Sequence, residues 1–366
     1  MSVKDVTCLL RRNVGPTRRV FLAKGGAFAA ASAASWPLIL VPGKAKASEQ
    51  LVIPSWGGAY AETINEAFYK PFTKETGIPI IVGPQPDLAK LKAMIKTGNV
   101  EWDFVDLITG WVVEGENEGL WEPINLNIVN RANVVPVANR EKSQGFYVFG
   151  GGIVYQEGRH GKPEQRPKSW AEFWDVNKFP GRRALRSDRA AEMLEIALVA
   201  DGVLPRQVYP LDVERAFKSM AKIKPHITHW ISATAQTIGI VEKNEADFSY
   251  TYNSRVFASR KAGNQVEIVF NNLFMGIGYA GVISKSKNKD AGMRLMNYYL
   301  NPEAQARWAN LYGLDGTNSE SDKYINEDVK KRRINFNDPN NFWEDIEYWG
   351  KNNAELLKRY KEWLLT

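Results

Sequence analysis

The chain of 366 residues holds a single cysteine, Cys8, and only three histidines. Cys8 lies in the N-terminal segment described below, so no thiol nucleophile, disulfide framework or cysteine-based metal site is left for a mature domain. His226 and His229 stand three apart, but Pro225 precedes them and no third ligand is near, so capping or surface roles are expected instead of metal binding. Neither G-x-S-x-G nor H-E-x-x-H occurs. A G-x-G-x-x-G does occur, from Gly276 to Gly281, yet it leads into Val282-Ile283-Ser284, which reads as a strand. Cradling a phosphate needs a helix N-terminus at that point, so glycines that let the backbone pass close to another group are expected instead. Catalysis has no candidate constellation, and no cofactor or metal is expected.

A uniform charge excess is also missing. The formal net charge is +7, but residues 1–47 hold eight basic side chains (Lys4, Arg11, Arg12, Arg18, Arg19, Lys24, Lys44, Lys46) against one acid, Asp5. Setting those aside removes the whole excess, and a nucleic-acid footprint on the folded domain is not expected. The segment is ordered as a targeting peptide: a charged region, an Ala-rich apolar stretch from Gly25 to Val41, then Ala45-Lys46-Ala47 before an expected cut near Ala47. Arg18-Arg19 ahead of Val20-Phe21-Leu22 is close to the twin-arginine pattern, with Lys24 one residue late. The apolar stretch is short and Ala/Gly-rich for a membrane span of about 20 residues, so cleavage is expected over anchoring. Export with no mature cysteine implies a core stable without disulfides, and hence a soluble periplasmic protein.

From Leu51 onward short apolar runs alternate with amphipathic patterns, the rhythm of an α/β protein. Strands are expected at 51–54, 78–82, 104–108, 248–252 and 281–284. Helices are expected at 59–76, kinked or ended by Pro71, and at 88–97, 190–201, 212–223, 291–300 and 303–312. Ser169 and Glu172 form a capping box at a helix start. The Trp-, Tyr- and Lys-rich tail from 338 to 366 is expected to pack as one or two helices. No internal repeat or low-complexity linker appears.

What is abundant is aromatic side chain beside small polar residues. Trp56, Tyr60, Trp111, Trp230, Tyr252 and Tyr279 fall within two residues of Gly, Ser, Thr or Asn, where loops at strand ends hold ligands in open α/β folds. Ordinary core and rim packing accounts for most of the other aromatics. Ring faces hold an alkylammonium chain by cation–π attraction and apolar contact.

S-W-G-G-A-Y (55–60), F-T-K-E-T-G-I (72–78), A-K-L-K-A-M (89–94), W-A-E-F-W-D-V-N-K-F-P-G-R-R-A (170–184), L-E-I-A-L-V-A-D-G (194–202), Y-N-S-R-V (252–256) and L-N-P-E-A-Q-A (300–306) resemble the periplasmic binding proteins for spermidine, putrescine and related amines. The resemblance implies a bilobal α/β type II periplasmic-binding fold. Each lobe has a central mixed sheet flanked by helices, hinge crossings join the lobes, and ligand is trapped by closure. Lobe 1 is expected over 48–147 and 253–308, and lobe 2 over 148–252 and 309–366. Trp56 takes the place of a ring-wall tryptophan, 106–111 is the loop after the third strand, and Tyr252 stands where the family has a tryptophan. In 188–192, where polyamine receptors carry two carboxylates, one acid is Arg189 while Glu192 is kept, and Arg255 adds a cation beside Tyr252. Such a site suits a zwitterion such as an ω-amino acid, with Arg189 and Arg255 toward its carboxylate and Glu192 or Asp106 toward its ammonium. The expected partners are that ligand and an inner-membrane ABC permease, with the receptor a monomer. An exported enzyme of unknown class and a structural or adhesive secreted domain are the alternatives.

Overall fold

Leu51–Pro54 (β1) and Ile80–Gly83 (β2) pair in parallel, and Phe104–Leu107 (β3) follows beside β1, where the Asp103 N–H donates to the Val52 carbonyl at 2.9 Å. The structure is a computed structural model describing residues 49–336 and 338–366. The targeting segment, with Arg18, Arg19, Cys8 and the cut near Ala47, lies outside the described residues. The run 59–76 folds as helix Gly58–Ile64, a π-helical turn Asn65–Tyr69 and helix Lys70–Thr76. Pro71 has no N–H to donate back, and the ladder widens in the turn just before it. Ile64, Phe68 and Phe72 face the core, and Gly77 at φ 73° ends the helix.

Among the described residues nine strands form one mixed sheet. The remaining strands are Gln144–Gln156 (β4), Arg183–Arg186 (β5), Ile227–Ile231 (β6), Phe248–Tyr252 (β7), Val266–Ile268 (β8), Phe274–Val282 (β9), Asp315–Gly316 (β10) and Phe342–Trp343 (β11). The sheet runs β11-β9-β4-β7-β5-β6, with β8 and β10 also pairing β4, and β3 pairing β9 antiparallel. The G-x-G-x-x-G therefore lies wholly inside β9, a strand buried along its whole length, and opens no helix.

Three other segments refine the sequence reading. Ser169 Oγ accepts from the Glu172 N–H at 3.2 Å, and Glu172 reaches back to the Lys168 N–H at 2.8 Å, one residue before the cap, over a helix of only Trp170–Trp174. The helix expected from 190 begins at Met193, because Glu192 takes φ 73° and turns the chain just before it. The tail forms β11 and one long helix, Ile346–Leu365, capped by Asp345, which accepts from the Tyr348 N–H at 2.9 Å.

Buried apolar side chains gather in separate clusters. The largest takes residues between Leu51 and Val148 and between Ile277 and Leu314. A second takes residues from Ile153 to Phe274 with Phe342, Trp349, Leu356 and Tyr360. Val256, Val266, Ile268 and Leu273, inside the span expected for lobe 1, pack in a third cluster with Val154 and Ala184 from the span expected for lobe 2. The two longest strands, β4 and β9, serve both sides: Phe146 and Ile277 lie in the first cluster, Ile153 and Phe274 in the second. No helix among the described residues is long and apolar enough to cross a membrane.

Candidate functional site

Side chains two apart on a strand share a face, so Tyr147 and Phe149 of β4 stand together where the clusters meet. Their register partners on β9 are Gly278 and Gly276. A Cβ at Gly278 would lie 2.0 Å from the Tyr147 ring, and one at Gly276 would lie 2.4 Å from the Phe149 ring. The glycines are there to admit rings, not phosphate. Phe149 meets Tyr252 edge-on at 5.5 Å, and Tyr147 meets Trp308 at 5.1 Å, which in turn meets Tyr60 at 5.5 Å. A row of aromatic rings thus runs from one core to the other.

At the second-cluster end of that row, β5 and β7 end side by side and bring two guanidiniums to one hydroxyl. Arg186, fully buried, grips Asp188 by a two-point fork (Nε–Oδ1 2.9 Å, Nη2–Oδ2 2.6 Å) and donates to Thr234 Oγ1 at 2.7 Å. Its Nη1 reaches the Tyr252 hydroxyl at 3.3 Å. Arg189 Nη1 donates to the same hydroxyl at 2.8 Å and to Glu192 Oε1 at 2.6 Å. Arg189 Nε and Glu192 Oε2 are buried without hydrogen-bond partners. The group carries two cations and two anions and is close to neutral.

At the first-cluster end, Trp56 follows β1 into the turn at Gly57 and Gly58, both at positive φ (72° and 58°) that a side chain would strain. Its ring lies 5.6 Å from that of Trp111, and its Nε1–H donates to the Asp106 carbonyl at 3.1 Å. Asp106 is 3% exposed; its Oδ2 accepts from the Tyr60 hydroxyl at 2.9 Å while Oδ1 has no partner. Burial raises its pKa to about 7 against the opposing hydroxyls of Tyr60 and Tyr299. Arg255 is half-buried near Tyr312, whose ring lies 6.4 Å from that of Tyr60, and no carboxylate among the described residues pairs with it.

Arg189, Glu192 and Tyr252 are therefore brought together directly, and Trp56, Tyr60, Asp106 and Trp111 form a second group, with Arg255 on its Tyr312 side. Among the described residues, no hydrogen bond or ring contact ties Trp230 or Tyr279 to either group. Trp230 packs edge-on against Trp363 of the C-terminal helix at 6.1 Å, and Tyr279 is buried in β9 with its hydroxyl donating to the Val137 carbonyl at 3.3 Å. Sequence reasoning missed Arg186, Thr234, Tyr147 and Phe149, although the alternation of β4 beside Gly150-Gly151-Gly152 signalled the last two. It also missed two acids from distant segments. Glu195 is fully buried, accepting from the Tyr209 hydroxyl and Trp349 Nε1 at 2.6 Å each, and burial raises its pKa to about 7. Glu344 accepts from Thr109 Oγ1 at 2.6 Å.

Two cores on shared strands are linked by a row of rings with a charge-balanced group at one end, a frame that fits a solute receptor. The chain belongs to the bacterial extracellular solute-binding protein family, whose pattern matches residues 67–337, and it is a binding protein, not an enzyme. It is 30% identical over 327 residues to a γ-aminobutyric acid-binding protein of Pseudomonas aeruginosa, covering 86% of this chain and 91% of that one. It is 24% identical over 281 residues to the spermidine/putrescine-binding periplasmic protein of Escherichia coli, covering 74% and 79%. The solved structure of a GABA receptor matches it with a TM-score of 0.80 at 30% identity, over 86% of this chain and 98% of that one. AgtB of Agrobacterium tumefaciens R10, in complex with agropinic acid, matches with a TM-score of 0.77 at 26% identity, over 87% and 99%. The fold is the bilobal α/β periplasmic-binding architecture expected from the sequence.

Proposed function

We propose that the chain is the periplasmic receptor of an ABC importer for small amines or ω-amino acids, and that within this class its ligand is a zwitterion of the 4-aminobutyrate type. Relatives that bind γ-aminobutyric acid and polyamines support the class. The observation that carries the finer reading is the meeting of Arg186 and Arg189 at the Tyr252 hydroxyl, at 3.3 and 2.8 Å. Because Arg186 and Arg189 already offset Asp188 and Glu192, the group offers no surplus negative charge to a ligand charged positively at both ends, while its guanidinium N–H groups suit a carboxylate. The unpaired Arg255 adds to that preference, and Trp56, Trp111, Phe149 and Tyr252 are suited to cover the methylenes between the charged ends. The cleft closes about β4 and β9 as the lobes come together, with 253–275 moving as part of lobe 2. Delivery goes to an inner-membrane permease, the receptor works as a monomer, and export follows the Arg18-Arg19 signal with cleavage near Ala47. Isothermal titration with 4-aminobutyrate and putrescine tests the ligand class. Tight binding of the amino acid is expected, and tight binding of the diamine with none of the amino acid overturns the zwitterion reading.

A further inference from the structure

An ω-amino acid needs a carboxylate at the end of the cleft away from the guanidiniums, and the two acids expected from the sequence are poorly free to serve. Glu192 Oε1 is held by Arg189 and by the Tyr252 hydroxyl, at 2.6 and 2.7 Å. Asp106 is closed over by Tyr60. Glu195 is enclosed by Tyr209 and Trp349 with no exposed surface.

Glu344 differs from all three. It follows β11, and its N–H is fixed to the Met275 carbonyl of β9 at 2.8 Å, so the backbone that carries it is part of the shared sheet. Its side chain crosses to the loop after β3, where Oε2 accepts from Thr109 Oγ1 at 2.6 Å, two residues before Trp111. The residue is half-buried where the other three are buried, and, as in them, one carboxylate oxygen has no hydrogen-bond partner among the described residues. No cation among the described residues forms an ion pair with it. Its chain follows Phe342 of the second cluster and its side chain meets Thr109 beside Trp111 of the first, so it lies where the two cores meet, within electrostatic reach of Glu192, Glu195 and Arg189.

We propose that Glu344 seats the ammonium end of the ligand. The inference rests on the amine-class reading above and adds to it the residue that receives the amine. Burial, reinforced by the charges of Glu192 and Glu195 and opposed by the Thr109 hydrogen bond and by Arg189, raises the Glu344 pKa to about 8. Tyr209 and Tyr279 are the other titratable groups that sense it, and neither ionises near neutral pH. Near pH 7 the Glu344 carboxyl is therefore largely protonated before an amine arrives. An ammonium brought beside it supplies the positive charge that the carboxylate lacks, and the displaced proton goes to solvent.

Titration of the full mature chain with 4-aminobutyrate at pH 7, in two buffers of different ionisation enthalpy, counts that proton. The parent is expected to release on the order of one proton per ligand, with an affinity that rises as pH increases toward 8. Glu344→Gln, which keeps the shape and an acceptor for Thr109, is expected to release almost none, to lose affinity about 10- to 100-fold and to flatten the pH profile. Parent-like affinity and proton release in Glu344→Gln overturn the proposal. If the parent binds putrescine but not 4-aminobutyrate, the zwitterion reading falls, and the same measurements with the diamine decide on Glu344. If the parent binds neither probe, the amine-class reading falls and this assignment with it. Thr109→Val is a second variant should the first fail to fold: loss of the hydrogen bond that favours the ionised carboxylate is expected to move the affinity profile to higher pH, and an unmoved profile overturns the proposal.

Discussion

The hydroxyl of Tyr252 stands between Arg189 and Glu192, accepting from Arg189 Nη1 at 2.8 Å and donating to Glu192 Oε1 at 2.7 Å. It thereby holds in place a guanidinium that has a buried, unpartnered Nε. Tyr252→Phe keeps the ring against Phe149 and Tyr250 but removes that relay. Titration with 4-aminobutyrate is expected to show affinity weakened by about 1.5 to 3 kcal/mol, the range for hydrogen bonds to charged groups. Unchanged affinity would mean that the hydroxyl only spaces the charges.

Trp56 and Trp230 separate two roles for tryptophan. Trp56→Ala opens the wall shared with Trp111 and is expected to weaken binding by about 1 to 3 kcal/mol with little change in melting temperature. Trp230→Ala removes packing against Trp363 and is expected to lower stability by about 1 to 3 kcal/mol while leaving affinity near the parent value. Calorimetric melts and titrations on both variants check the split, and a reversed pattern would exchange the roles.

Three acids, Asp106 and Glu195 buried and Glu344 half-buried, make the ligand-free protein pH-sensitive. Burial raises Asp106 and Glu195 to about 7 and Glu344 to about 8, so the folded state holds these protons more tightly than the unfolded chain does. Stability from this source is fully present below the unfolded carboxyl range and is lost as pH rises through 7 to 8. Melting temperature is expected to fall between pH 5 and pH 8. Glu195→Gln should remove a share of that slope corresponding to roughly 3 kcal/mol. Superimposable melting-against-pH curves for parent and variant would refute it.

Gly278→Ala drives a methyl into the Tyr147 ring and is expected to destabilise the fold by about 1 to 3 kcal/mol through overpacking. Because the displaced ring borders the cleft, affinity should fall as well. A variant with parent-like melting and binding would show that Tyr147 is free to move aside.

Export is testable separately. Replacing Arg18 and Arg19 by Lys is expected to leave precursor in the cytoplasm, measured by fractionation, because the twin-arginine route reads the guanidinium pair. Normal periplasmic accumulation would exclude that route.

The fold was legible where local chemistry dominates. The helix expected at 88–97 is the observed Leu88–Thr97, with Asp87 as its cap, because amphipathic spacing, capping and the following Gly98 all agree. The pairing of β3 with β9, some 175 residues away in the chain, has no local signal, and neither has the ring clearance by Gly276 and Gly278. In the candidate site, the meeting of Arg189, Glu192 and Tyr252 was readable because two short segments carry them beside a recognisable departure in charge. Arg186 sat inside an apolar strand, and Glu344 in a tail whose partner, Thr109, is 235 residues distant. Their roles depend on contacts that exist only after the sheet has formed.

Because β4 and β9 feed both cores, neither core can be separated from the other by severing one linker. Half of the molecule made alone would expose the long edges of those strands, a surface that invites non-native pairing. Melting one core strips register partners from the other, so the two should unfold as a single cooperative event, whereas domains strung on a tether melt independently.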